Sequence, residues 1–129
     1  MRSRAALGLV FLVGALTLLA GTQPEQKEIK QEVVAKVRTA VEQYVQQDEQ
    51  LKGDFFLRDS IDKTIRDLRL DYVHKGVERS VDNLYSVCVD FLDRSNKRLD
   101  IDFYLKPTDS GDFQISKIRI HKVNGVERK

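Results

Sequence analysis

Apolar residues recur along this chain in three different ways. Ala5 to Ala20 reads AALGLVFLVGALTLLA and carries no charge at all. Within Glu25–Leu51, apolar residues fall at Ile29, Val33, Val34, Val37, Ala40, Val41, Tyr44 and Val45. Steps of three, four and seven residues place them on one stripe of a helix, with Gln, Lys and Glu opposite. Glu25 and Glu28 stand at the positive end of its dipole, and Gly53 supplies the stop. The valines in this stretch lower its intrinsic helix propensity, so packing must hold it, and it is expected to lie across a sheet.

Beyond Gly53 the period becomes two. Asp54–Arg58 reads as a short strand and Asp59-Ser60-Ile61-Asp62 as a turn. A long strand over Lys63–Val77 puts Leu68, Leu70 and Tyr72 on one face, and a change of phase near Val73–Val77 predicts a bulge. Asp82-Asn83 turns the chain. The next two strands alternate cleanly. Tyr85, Val87, Val89 and Phe91 alternate with Ser86, Cys88 and Asp90; Leu99, Ile101, Phe103 and Leu105 alternate with Arg98, Asp100, Asp102 and Tyr104. Between them, Asp93-Arg94-Ser95-Asn96-Lys97 suits a three-residue loop with Asn96 in the left-handed region. That register sets Val89 opposite Ile101 and Val87 opposite Phe103, with every apolar residue on one face. After the turn Pro107–Gly111, a fifth strand carries Phe113 and Ile115, then shifts phase to Ile118 and Ile120. A bulge near Ser116–Lys117 absorbs the extra residue, and Asn124-Gly125 is a last turn.

The expected fold class is therefore α+β: one long amphipathic helix packed on an antiparallel meander of about five strands. Residues 27–129 form one domain, 21–26 a polar linker, and 1–20 a targeting segment. Arg2 and Arg4 before the uncharged run give the layout of a secretory signal peptide, cleaved near Ala20–Gly21. The alternative is an uncleaved membrane anchor, because Ala5–Gln23 is barely long enough to span the bilayer. Leu19-Ala20-Gly21-Thr22 has the form of a lipoprotein box, but Thr22 offers no thiol to acylate. The domain is expected in the periplasm or outside the cell, or tethered to the inner membrane.

Charge sharpens the picture. The formal net charge is +2, and residues 1–20 hold two arginines and no acid, so the remaining chain is neutral. A neutral domain has no long-range field for nucleic acid, and contact with a membrane is expected only through the N-terminal segment. With a single cysteine, Cys88, no internal disulfide can form. There is no phosphate-cradling glycine loop, no dinucleotide fingerprint and no aromatic–basic platform.

The candidate chemistry lies on the outward positions. The register places Asp90 opposite Asp100 and Cys88 opposite Asp102. Paired carboxylates suit a hard cation such as Ca²⁺ or a shared proton. With Arg119 beside Asp100 and Lys117 beside Asp102, they read instead as a solvated lattice of alternating charge. His74 and His121 show no HxH or HxxxH spacing, so no metal site and no cofactor is expected. Cys88, His121 and Asp90 share a face, but nothing local activates the thiol. Tyr104 points outward beside Ser86 and Cys88 and offers a small contact patch. Asp90, Asp100, Asp102, Tyr104 and His121 are thus the candidate binding residues, and none is assigned a catalytic role.

The order of one helix and then a meander, over roughly residues 25–123, resembles the cystatin-like and nuclear-transport-factor-two-like folds. Tyr85–Phe91, Asp100–Tyr104 and Ile120–Gly125 also look like segments of small exported bacterial proteins of unassigned activity. The first resemblance implies a helix packed into a curved sheet, a form often used as a cup or docking surface. The inward positions here are nearly all large and apolar, which predicts a filled core rather than a pocket. The chain is accordingly read as an exported, non-enzymatic module that binds a small ligand or an envelope protein, as monomer or homodimer. The alternatives are a small hydrolase or isomerase with an Asp/His pair, and a calcium-binding domain built on the acidic hairpin.

Overall fold

The computed structural model describes residues 28–129, together with Gly14. The expectations for the targeting segment and the linker otherwise lie outside the described residues. Among the described residues, no helix is long and apolar enough to cross a membrane.

The chain builds one helix, α1 (Gln31–Lys52), and a sheet of six antiparallel strands. These are β1 (Phe55–Asp59), β2 (Thr64–Arg79), β3 (Tyr85–Asp93), β4 (Arg98–Pro107), β5 (Phe113–Val123) and β6 (Val126–Glu127), paired in chain order. The two-residue β6 adds a strand to the expected five. Asn124 and Gly125 both take positive φ, which is the two-residue hairpin turn that the twist of paired strands favours. The helix ends where Gly53 turns left-handed (φ 89°) and its N–H bonds back to Glu49.

Val37, Val41 and Val45 are fully enclosed against the concave side of the sheet. Beneath them Phe55, Phe91 and Phe103 stack across three strands, with centroids 5.2 and 6.1 Å apart. Tyr44 closes the stack edge-on, 6.3 Å from Phe55 and 6.4 Å from Phe103. Each of the three phenylalanine rings is fully buried and contributes about 1.5–3 kcal/mol, which helps to hold a valine-rich helix in place. Arg38 adds a polar tie: Nε and Nη2 donate to the Val73 carbonyl at 3.2 and 2.9 Å. That carbonyl lies on the stretch of β2 that β1 does not cover.

Two register details correct the sequence reading. Tyr72 does not share the inner face with Leu68. An irregularity between Leu70 and Tyr72 makes Asp71 an extra residue, so the alternation slips and Tyr72 stands outside, opposite Asp90. The second correction concerns β5. The bulge at Ser116 is present, but Arg119 pairs with Asp102 and Lys117 with Tyr104, two residues away from the expected partners. A further bulge, at His121, lies between the pairs Ile101–Ile120 and Asp100–Lys122. Its trace in the sequence is the three-residue step from Ile120 to Val123, which breaks the alternation as the step from Ile115 to Ile118 does.

The sheet curls until β1 and β5 flank a cleft of about 240 Å³. Arg128, just past β6, crosses to Asp59 at the end of β1 and ties the curl shut. No residue of α1 lines this cleft.

Candidate functional site on the outer sheet face

Strand alternation sends Cys88 and Asp90 of β3 and Asp100, Asp102 and Tyr104 of β4 to the convex side. The expected cross-strand pairs hold: Asp90 faces Asp100, Cys88 faces Asp102, and Ser86 faces Tyr104. The bulges supply the histidines. Between Val73–Val89 and Val77–Val87, β2 sets three residues, His74 to Gly76, against the single residue Cys88. This brings His74 over β3 beside Cys88 and Asp90. The bulge on β5 turns His121 toward Asp102, with Nδ1 3.7 Å from Oδ2; its Nε2 lies 3.5 Å from Glu127.

The aspartates do not simply look out into water. Asp90 is only 6 % exposed, and Asp100 and Asp102 are half-buried. His74, packed edge-on against Tyr72, roofs Asp90. Arg98 reaches over from β4: its Nε donates to Asp100 Oδ1 at 2.9 Å, and its Nη2 stands 3.6 Å from Asp90 Oδ1. The solvated lattice expected here is therefore a partly sunken cluster, because the β2 bulge covers what a regular strand would leave open.

Its hydrogen bonding is incomplete. His74 Nε2 lies 3.0 Å from Asp90 Oδ2, but off the direction a ring N–H needs. His74 Nε2 and Asp90 Oδ1 are both buried without a hydrogen-bond partner. Such atoms cost roughly 1–3 kcal/mol each, so their persistence needs a reason.

The electrostatics agree with the geometry. Burial, followed by the charges of Asp102, Asp100 and Asp90, pushes the Cys88 thiol up to about 11, with Arg98 opposing. Burial also raises the Asp102 carboxyl, with a smaller push from Asp100, against the pull of His121 and Arg119. Both shifts report a half-desolvated surface with a surplus of negative charge. The thiol is the reverse of an activated nucleophile.

Beside the cluster, a shallow groove of about 410 Å³ runs over Glu78, Cys88, Asp100, Asp102, Tyr104 and His121. Three carboxylates and one lysine, Lys122, line it. Four of the five candidate binding residues are found here: Asp100, Asp102 and His121 gather around Cys88, and Tyr104 forms one wall beneath Lys117, whose Nζ sits 5.6 Å from the ring. Asp90 lies at the end away from Tyr104, past Cys88 and Asp100, under His74. The expected calcium pair is changed in character, because Arg98 already sits across Asp90 and Asp100. What the sequence did not reveal is the grouping of His74 with Cys88 and Asp90, whose donor atoms lie within 4.8 Å of one another. The only signal for it was the break in phase after Val73. No protein-family model, no curated protein and no solved structure matches this chain.

Proposed function

We propose that the domain is a non-enzymatic binding module that takes a cationic ligand on the convex face of its sheet. The observation that carries this reading is the sunken row of Asp90, Asp100 and Asp102 around Cys88, with a groove open beside it. Half-buried carboxylates attract a cation more strongly than solvated ones, because little water remains to screen them. Between α1 and the sheet the side chains interlock as a filled core, and the cleft between β1 and β5 is lined by Arg58, Lys117, Arg119 and Arg128, which repel a cation. A hydrolase built on Cys88 finds no support in a thiol held protonated at neutral pH. We take the uncharged N-terminal run to direct export to the cell envelope, by a cleaved signal or by an anchor. The kinship with cystatin-like and nuclear-transport-factor-two-like domains belongs to the same proposal and rests on one helix followed by a curled meander.

Amide chemical-shift mapping of the full chain tests the reading, with Zn²⁺, Ca²⁺, spermidine and a lysine-rich peptide as separate probes. At least one should move Ser86, Cys88, Asp102 and His121 and leave α1 still. The paired change Asp100→Asn and Asp102→Asn should weaken that probe about tenfold or more. Shifts confined to other surfaces, or none with any cation, would refute it.

A further inference from the structure

We propose that His74 Nε2, Cys88 Sγ and a carboxylate oxygen of Asp90 form a site for one borderline-soft divalent metal ion of the zinc type, with its fourth position open. The inference rests on the reading of the convex face as the ligand face and names the ligand class at its most enclosed point.

Placement comes first. Cys88 and Asp90 are two residues apart on β3, so both project to the same side. The β2 bulge delivers His74 above them, and the three donor atoms lie within 4.8 Å of one another. Around a tetrahedral ion with bonds of about 2.0–2.3 Å, ligand atoms stand roughly 3.3–3.7 Å apart. His74 Nε2 and Asp90 Oδ2, at 3.0 Å, are already that close. The sulfur closes the remaining distance by a side-chain rotation at a half-buried position.

The unmet hydrogen bonding is independent of that spacing. Asp90 has a side chain 9 % exposed; its Oδ1, on the side of Arg98, has no hydrogen-bond partner, nor has the buried Nε2 of His74, which lies against Oδ2. An ion at this point, next to the thiol, would take Nε2 and a carboxylate oxygen together. Donor type then selects the metal. One imidazole nitrogen, one sulfur and one carboxylate oxygen suit Zn²⁺ or Co²⁺, whereas Ca²⁺ and Mg²⁺ require oxygen shells. Binding releases the thiol proton to solvent, and thiolate plus carboxylate neutralise the ion. Asp100, opposite Asp90, and Asp102, opposite Cys88, steady it from outside the ligand set. Arg98 is 57 % exposed and hydrogen-bonded to Asp100, so it can withdraw from Asp90 without losing its main partner.

The test is a Co²⁺ titration of the full chain after chelator treatment, followed by displacement with Zn²⁺. One equivalent should give thiolate-to-cobalt charge-transfer absorption and the ligand-field bands of a tetrahedral ion, both erased by Zn²⁺. Cys88→Ser should abolish the charge-transfer band, and His74→Ala and Asp90→Asn should each weaken binding at least about tenfold. His74 is partly exposed, so its variant remains informative should Asp90→Asn fail to fold. No saturable binding, an octahedral spectrum, or affinity unchanged in His74→Ala and Cys88→Ser would overturn the site. If spermidine or the basic peptide still maps to the convex face while Zn²⁺ and Co²⁺ do not bind, the metal assignment alone falls. If no cation binds there, the wider reading falls with it.

Discussion

Removing the carboxylate of Asp59 should destabilise the domain far more than an ordinary turn aspartate would. Asp59 is 2 % exposed at the end of β1. Its side chain accepts from the Ile61 and Asp62 N–H groups at 3.0 and 3.2 Å and from Arg66 Nε at 2.8 Å. Arg128 Nη2 donates to both oxygens, at 2.6 and 2.7 Å. Those partners lie seven and sixty-nine residues away, so one carboxylate joins the first hairpin to the chain's end. Both guanidinium groups are largely enclosed, with side chains 16 % and 13 % exposed. Asp59→Ala strands them and opens the turn as well. Breaking a buried pair from one side costs about 3–5 kcal/mol. For a domain of this size that lowers Tm by roughly 15–35 °C.

The pH dependence follows from the same contacts. Burial alone would raise the Asp59 carboxyl, but the Arg66 hydrogen bond, the two backbone N–H groups and the Arg128 charge outweigh it and hold it below 3.8. A depressed carboxyl contributes stability that is fully present above its unfolded value and is lost as pH falls through the folded one. Urea unfolding should therefore show the wild type weakening below about pH 4, with Asp59→Asn flatter over the same range. A double-mutant cycle with Arg128→Ala should give a coupling of about 1 kcal/mol or more. A loss below about 1 kcal/mol for Asp59→Ala, with no coupling to Arg128, would mean that the curl of the sheet does not depend on this tie.

Two further outcomes test the site and the core. Cys88 has a thiol raised from 9.0 to about 11, so the metal-free protein should react with iodoacetamide at neutral pH about a hundredfold more slowly than an ordinary cysteine; Asp102→Asn should speed the reaction and leave the domain no less stable, since it removes a half-desolvated charge. Phe103→Ala should cost about 3–5 kcal/mol in urea unfolding, because the ring is fully buried between Phe91 and Tyr44.

The sequence by itself determined the helix, the alternation of β3 and β4, and the pairing between them. These rest on local periods: a valine stripe at helical spacing fits only a buried face, and Val89 can meet Ile101 only if Asp90 meets Asp100. The turns were equally local, since Asn96, Asp82 and Asn83 take the left-handed region that such residues tolerate. Tertiary structure alone decided where the extra residues sit. A bulge costs little at several neighbouring positions, and packing against the adjoining strand selects one of them. That choice moved Tyr72 to the convex face, carried His74 over Asp90 and turned His121 toward Asp102. It also decided that the aspartates are sunken rather than solvated, because burial depends on which neighbour covers a residue, and no period in the sequence encodes that.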